Sequence, residues 1–169
     1  MATTTDLLID FLGRPREVAH AVLDETPEDQ LSTPPTPGSN TIAWLLWHLT
    51  RGMDEQVAQV LGYDAVWEAG GWRERFDLPL PPDVHGYGMT FDEVLLVRAS
   101  AENLRGYLDA AFDAAESALS TVTDGDLDRV VDEDWDPPVT LGVRLVSVVD
   151  DCVQHVGQAA YASGILSRR

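Results

Sequence analysis

The chain has 169 residues and a formal net charge of −18, because 29 acidic residues outnumber 11 arginines and lysine is absent. This charge repels phosphate backbones and anionic membrane surfaces at long range, which argues against a nucleic acid or a membrane as partner. The single cysteine, Cys152, excludes an internal disulfide and suits a reducing compartment. With no secretory start and no apolar run of the ~20 residues that span a bilayer, one soluble, cytoplasmic domain over residues 1–169 is predicted.

The first helix is predicted from about Thr5 to Leu23, where apolar residues recur with a helical period. Pro15 lies inside this segment, at a point where the helix can kink or break, since proline has no backbone N–H to donate. The prolines and the glycine of STPPTPGSN, residues 32–40, then predict a connection of irregular structure.

The second helix is predicted to begin at Asn40 or Thr41, either of which can cap it, and to end at Gly62. Residues 63–88 follow as an irregular stretch rich in proline and glycine, which no regular element accommodates. A connection of this length inside a small domain indicates a functional loop, a lid or a crossover between helices.

The third helix is expected to be the longest, running from Thr90 to about Val122. Thr90 and Glu93 form a T-x-x-E capping box at its start. A polar tract containing two prolines then leads into the last helix, predicted from about Thr140 to Gly164. Four helices joined by long connections predict an all-α four-helix bundle, and long connections permit windings other than simple antiparallel neighbours.

Polar side chains follow one side of the last helix within DDCVQHVGQAAY, residues 150–161. Asp151 and His155 lie four residues apart and therefore one above the other, with Gln158 nearly in line. Such a pair can hold one cation, and imidazole with carboxylate suits Zn²⁺, Ni²⁺, Fe²⁺ or Mn²⁺. The alternative is an exposed ion pair worth ~0.3–0.5 kcal/mol, and the spacing alone leaves both interpretations open.

His48 lies in WLLWHL, residues 44–49, where tryptophans and leucines leave little surface for solvent. A buried histidine needs a hydrogen-bond partner, and a lone one on an apolar face is more often a core residue than a ligand. In a bundle, however, His48 could meet Asp151 and His155 at the axis. Three protein ligands would leave a coordination position for water or substrate, as catalytic sites do.

Other polar residues have less specific interpretations. Gln158 could orient a ligand or a bound water, and Glu55 could be an outer partner or extra ligand, although a solvated or interface role suits Glu55 equally. Arg51 could meet a ligand carboxylate but is better explained as a surface charge. Cys152 is expected to be a small core residue, with its pKa raised by neighbouring carboxylates. His85 is a loop residue, either part of a lid or merely exposed.

Two segments carry a family resemblance, namely SNTIAWLLWHLTRGMDEQVAQVLG (39–62) and DDCVQHVGQAAYASGIL (150–166). They resemble the DinB/YfiT-like superfamily of four-helix metalloproteins. The similarity is greatest to DinB-like members related to mycothiol-dependent maleylpyruvate isomerase and the bacillithiol transferases. The likeness runs from about Asp6 to Leu166. Its most specific parts are the N-[ST]-I-x-W-L-x-x-H-L run at the second helix and H-x-G-Q at the last.

The resemblance implies that a divalent metal, Zn, Ni or Fe, is bound by His48, Asp151 and His155. Asp151 departs from the commonest superfamily pattern, which has histidine there, although carboxylate remains an acceptable ligand. The resemblance also implies an up-up-down-down winding, in which the first and third connections cross over, and a homodimer.

Members that transfer thiols use the metal to lower the pKa of a low-molecular-weight thiol such as mycothiol, whose thiolate then attacks a small electrophile. The resemblance therefore implies a small-molecule thiol and an electrophile as partners. Two alternatives stay open. One is a non-catalytic DinB-like bundle, either a binding protein or a stress-associated dimer. The other is a metal-dependent hydrolase of a small amide or ester, with water as the nucleophile.

Overall fold

The computed structural model describes residues 2–168, which are mostly helical, so the predicted all-α class is confirmed. The helices are α1 (Thr4–Glu25), α2 (Glu28–Leu31), α3 (Ile42–Leu61), α4 (Val66–Ala69), α5 (Trp72–Phe76), α6 (Phe91–Val94), α7 (Ala101–Leu119) and α8 (Leu141–Leu166). A short antiparallel pair, β1 (Val130–Asp132) and β2 (Val139–Thr140), forms within the polar tract before α8. Among the described residues, no helix combines the length and apolarity needed to cross a membrane.

The predicted ends of the second helix are confirmed in α3. The Thr41 hydroxyl accepts a hydrogen bond from the backbone N–H of Trp44, and Gly62 ends the helix in the left-handed conformation that glycine tolerates. Pro15 does not break α1, which continues to Glu25 with the proline buried on its inner side.

The prediction of one long third helix is wrong, because the chain leaves the helical conformation after α6. Ser100 adopts an extended conformation, and its hydroxyl accepts from the backbone N–H of Asn103, so that it starts α7 as a new helix. Val94 and Val97 are buried and fix the intervening segment against the core. The longest helix is consequently α8, with 26 residues against 19 in α7.

The four long helices surround a common apolar core. α3 packs against α8 and α7, and α1 packs against the same two helices. The largest buried side chains come from all the long helices and include Leu12, Leu45, Trp47, Tyr107, Phe112 and Leu141. α1 and α3 therefore lie diagonally opposite each other, as do α7 and α8.

Hydrogen bonds between the helices give their relative directions. Thr5, near the start of α1, donates to the Val122 carbonyl just beyond the end of α7. At the other end, Arg105 near the start of α7 contacts Asp24 near the end of α1. These two helices are therefore antiparallel.

A hydrogen bond between side chains shows that α3 and α8 are also antiparallel. Gln56, late in α3, accepts from Arg144 at the beginning of α8. The Thr26 and Ser163 hydroxyls, at the ends of α1 and α8, are 2.8 Å apart. The end of α1, the end of α8 and the start of α3 thus lie at one end of the molecule.

These directions contradict the predicted up-up-down-down winding. Relative to α1, both α3 and α7 run down and α8 runs up, so only the second connection, residues 62–100, passes from one end to the other. The first connection, residues 26–41, is long but joins helix ends that lie close together. Loop length permits a crossover without requiring one, which is why the sequence did not determine the winding.

Candidate metal centre

His48, Asp151 and His155 converge between α3 and α8. Each offers one atom able to ligate a metal ion, and these atoms lie within 4.8 Å of one another. In residues 2–168 this is the one such group of three histidine, cysteine or acidic side chains. The convergence follows from the helix period, which places Asp151 and His155 on one side of α8, and from the packing of that side against α3.

The spacing within the pair on α8 suits a shared ion. Nε2 of His155 lies 3.4 Å from Oδ1 of Asp151. Two ligand atoms ~2.0–2.2 Å from a tetrahedrally coordinated ion are roughly 3.3–3.5 Å apart, so the separation of this pair matches that of two ligands of one ion. The other ring nitrogen of His155, Nδ1, is buried without a hydrogen-bond partner among the described residues. The imidazole therefore keeps unused hydrogen-bonding or ligating capacity inside the site.

The orientation of His48 is fixed by a backbone carbonyl of the long loop. Nδ1 of His48 lies 2.6 Å from the carbonyl oxygen of His85. A carbonyl can only accept, so Nδ1 carries the proton and Nε2 presents its lone pair. The ring also stacks on Trp44, with centroids 4.6 Å apart, and meets the His155 ring edge to face at 4.7 Å. A hydrogen bond of this kind on the far nitrogen is the usual support of a metal-binding histidine.

The surroundings favour the protonation states that metal binding requires. Burial lowers the pKa of His48, because the charged imidazolium is poorly solvated there, although the hydrogen bond to the His85 carbonyl acts in the opposite direction. The hydrogen bond with His155 lowers the pKa of the Asp151 carboxyl. A neutral imidazole and an ionised carboxylate therefore face each other at neutral pH, and both can ligate a cation without first losing a proton.

The two outer residues predicted for the site, Glu55 and Gln158, are both exposed. Glu55 is exposed, with its carboxylate 3.9 Å from the Arg51 guanidinium, and lines a cavity of about 280 Å³. Gln158 is exposed beside Leu45 and Tyr161, in a groove of about 210 Å³. Their suggested roles as outer partners of the metal stay predictions.

Of the interpretations made for Arg51 and Cys152, one is wrong and one is confirmed. The interpretation of Arg51 as a surface charge is wrong, because this residue is only 4% exposed and its guanidinium lies over the Trp67 ring, 4.9 Å from the centroid. The interpretation of Cys152 as a core residue is confirmed. Its thiol is fully buried, and this burial, together with the Asp151 charge, raises its pKa far above the usual range.

Two residues that shape the site were not predicted in these roles. His85 was flagged only as a loop residue, yet its backbone holds His48. Asp54 is completely buried and accepts hydrogen bonds from the backbone N–H groups of Val66 and Trp67 and from the Tyr107 hydroxyl, at 2.8–2.9 Å. The 63–88 segment, singled out for its length, was the one sequence signal that pointed toward either contact.

Comparison with known proteins gives a consistent result for the fold. The sequence model of the DinB superfamily matches residues 12–159. A crystal structure described as the conserved protein of locus from Enterococcus faecalis is similar over 100% of both chains, with a TM-score of 0.93 and 32% sequence identity. Among curated proteins, none matches this chain in sequence.

Proposed function

Because the chain belongs to the DinB superfamily, which includes metal-dependent enzymes, we propose that it is an enzyme holding one divalent ion through His48, Asp151 and His155. The observation that carries the proposal is the convergence of these ligand atoms within 4.8 Å, with the far nitrogen of His48 already supported by a carbonyl. Two imidazoles and one carboxylate suit Zn²⁺, Ni²⁺ or Fe²⁺, and three protein ligands leave a coordination position open.

The reaction we propose is transfer of a low-molecular-weight thiol of the mycothiol type to a small electrophile. A bound ion would supply the positive charge that favours the thiolate over the thiol. The chain's own contribution is to hold that charge in a partly buried site, where electrostatic interactions are stronger than in water. A cavity of about 300 Å³ lined by Trp47, Trp67 and Arg73 offers aromatic walls and a guanidinium, which suit a sugar carrying a carboxylate, although Glu74 and Asp77 also line it and none of the three ligand residues does.

Thiol consumption tests this proposal directly. Metal-loaded protein is incubated with mycothiol and a panel of alkyl halides, epoxides and unsaturated carbonyl compounds. We expect loss of free thiol above the buffer rate, abolished by a chelator, restored by adding the metal back, and absent from the His155→Ala variant. The protein's own thiol does not interfere, because Cys152 is fully buried.

The same experiment separates the two alternatives. Release of acid from small esters or amides without thiol would indicate a metal-dependent hydrolase, which differs only in using water as the nucleophile. Retained metal with no turnover of either substrate class would contradict the enzymatic proposal and favour a binding protein.

We also propose that a second copy of the chain covers an apolar face on α1 and α8. Phe11 lies nine residues before His20, hence on the side of α1 opposite the contact between His20 and α7. Val146 lies nine residues before His155, on the side of α8 opposite α3. Both therefore point outward between α1 and α8. The exposed apolar side chains of the two helices are Leu7, Phe11, Val18, Val143, Val146, Val153 and Tyr161.

Charge favours the α8 half of this face for self-association. Copies of a −18 chain repel one another, so they can approach only where carboxylates are few. Between Val143 and Tyr161 the exposed residues of α8 include one carboxylate, Asp150. Exposed apolar side chains grouped on one face and rimmed by polar residues commonly mark an interaction site.

The mass of the protein in solution tests the interface. Wild-type protein should have twice the 18.5 kDa mass of one chain by size exclusion with light scattering. Val146→Asp should shift it to the monomer mass, since a buried unpaired charge is costly at an interface. Val130→Asp is the matched control, because Val130 is 46% exposed on the strand pair and lies outside the face. A monomeric wild type, or a dimeric Val146→Asp variant, would rule the interface out.

A further inference from the structure

We propose that the loop between α5 and α6, residues 77–90, is a positioning element for His48, and that Gly86 is the residue that makes the positioning contact possible. The inference rests on the proposed metal site, since it concerns how one ligand of that site is held. It assigns a role to the long irregular segment that neither the family match nor the ligand set explains.

The loop contacts His48 through the His85 backbone carbonyl. An imidazole ring can be turned over and can carry its proton on either nitrogen, so an unsupported histidine presents several donor arrangements. The His85 carbonyl, 2.6 Å from Nδ1 of His48, selects one of them. It leaves Nε2 as the lone-pair atom. Because ordering of the ring precedes metal binding, its entropic cost is not subtracted from the metal affinity.

This contact requires that residue 86 have no side chain. Gly86 has a φ of +108°, a conformation that side-chain-bearing residues rarely adopt. A Cβ atom built there would lie 2.5 Å from Nδ1 and 3.0 Å from Cγ of His48, well inside van der Waals contact. The loop backbone can therefore approach the imidazole closely enough to bond it only because residue 86 lacks a side chain.

Trp44 and Met89 hold the loop against the His48 ring. Trp44 stacks on His48 and also donates its indole N–H to the Met89 sulfur, at 3.4 Å. The Met89 backbone N–H in turn donates to the Gly86 carbonyl. One tryptophan thus contacts both the metal ligand and the loop that orients it. Thr90 then caps α6 and fixes the point where the loop ends.

A pair of glycine variants tests the inference. Gly86→Ala should weaken Zn²⁺ binding about 10- to 100-fold in a competition titration with a chromophoric chelator, as loss of an outer partner of a ligand typically does. Gly88→Ala is the matched control, because Gly88 also has a positive φ, +74°, but nothing lies within 4 Å of its added Cβ. It carries similar backbone strain without the collision, and its Zn²⁺ affinity should stay close to that of the wild type.

A second measurement does not depend on metal. Nitrogen-15 NMR of the metal-free wild type should show the Nδ1–H tautomer for His48, and Gly86→Ala should reduce it in favour of a mixture. A merely structural role of the loop would lower the melting temperature without moving the tautomer.

The outcomes distinguish this inference from the proposed function. Equal Zn²⁺ affinity of the two glycine variants, or an Nε2–H tautomer of His48 in the wild type, would overturn the positioning role. A wild type that binds no divalent ion but shows the Nδ1–H tautomer would instead contradict the metal site and leave the loop contact standing.

Discussion

Replacing His48 or His155 with alanine is expected to remove the metal ion. Protein purified without chelator or affinity metal should retain about one divalent ion per chain, and either variant almost none, because each histidine supplies one of the two imidazole ligands that these metals favour. Asp151→Ala should weaken retention less, since this carboxylate is 43% exposed and water can take its place. Elemental analysis gives the stoichiometry, and a competition titration gives the affinity.

Two further variants sharpen the experiment. Asp151→His introduces the residue that the resemblance assigns to this position and should bind at least as tightly as the wild type. Asp150→Ala removes the adjacent carboxylate of the same helix, which is exposed and hydrogen-bonded to Gln154, so it should leave the stoichiometry unchanged. If metal content were the same in all the ligand variants, the three residues would not be the binding site.

The parts of the site that could be predicted are those determined by one helix at a time. Asp151 and His155 share a side of α8 because they are four residues apart, whatever the rest of the chain does. Thr41 and Gly62 set the ends of α3 through local hydrogen bonds and backbone conformation. The pairing of His48 with the other two required a resemblance, since no pattern within α3 states which helix it faces.

The path of the chain between helices could not be predicted, because it depends on contacts between distant residues. A helical period is the same whether a helix runs up or down, so it could not reveal that α1 ends beside the end of α8. The break between α6 and α7 likewise depends on tertiary contacts, because Val94 and Val97 are buried in the core and hold the segment before Ser100 there. Both potential caps are used, one for each helix.

The burial of charged side chains could not be predicted either, because residue type alone does not show which of them are buried. Arg51 and Asp54 are charged residues on a helix that also carries exposed Glu55, and nothing in their spacing separates the three. Asp54 is buried because its carboxylate has partners elsewhere in the fold. It accepts from the Tyr107 hydroxyl, 53 positions along the chain, and from the backbone at the start of α4. Long-range partners of this kind appear only in the folded chain.

Asp54 holds the first part of the second connection, residues 62–100, which further along contacts His48 through the His85 carbonyl. By accepting from the first two backbone N–H groups of α4, at Val66 and Trp67, its carboxylate caps that helix across the chain and ties it to α3. Trp67 then packs between Arg51 and Tyr107. The buried carboxylate therefore fixes where the long second connection starts.

We expect Asp54→Ala to destabilise the protein by about 3–5 kcal/mol, because three buried donors lose their acceptor at about 1–3 kcal/mol each. The substitution leaves two backbone N–H groups and the Tyr107 hydroxyl without their buried acceptor. Tyr107→Phe, which removes one hydroxyl donor and leaves the carboxylate paired, should cost only about 1–1.5 kcal/mol. Urea denaturation of metal-free protein measures both, so neither value depends on the metal site. Similar losses for the two variants would mean that Asp54 acts as an ordinary hydrogen-bond acceptor and not as the centre of the network.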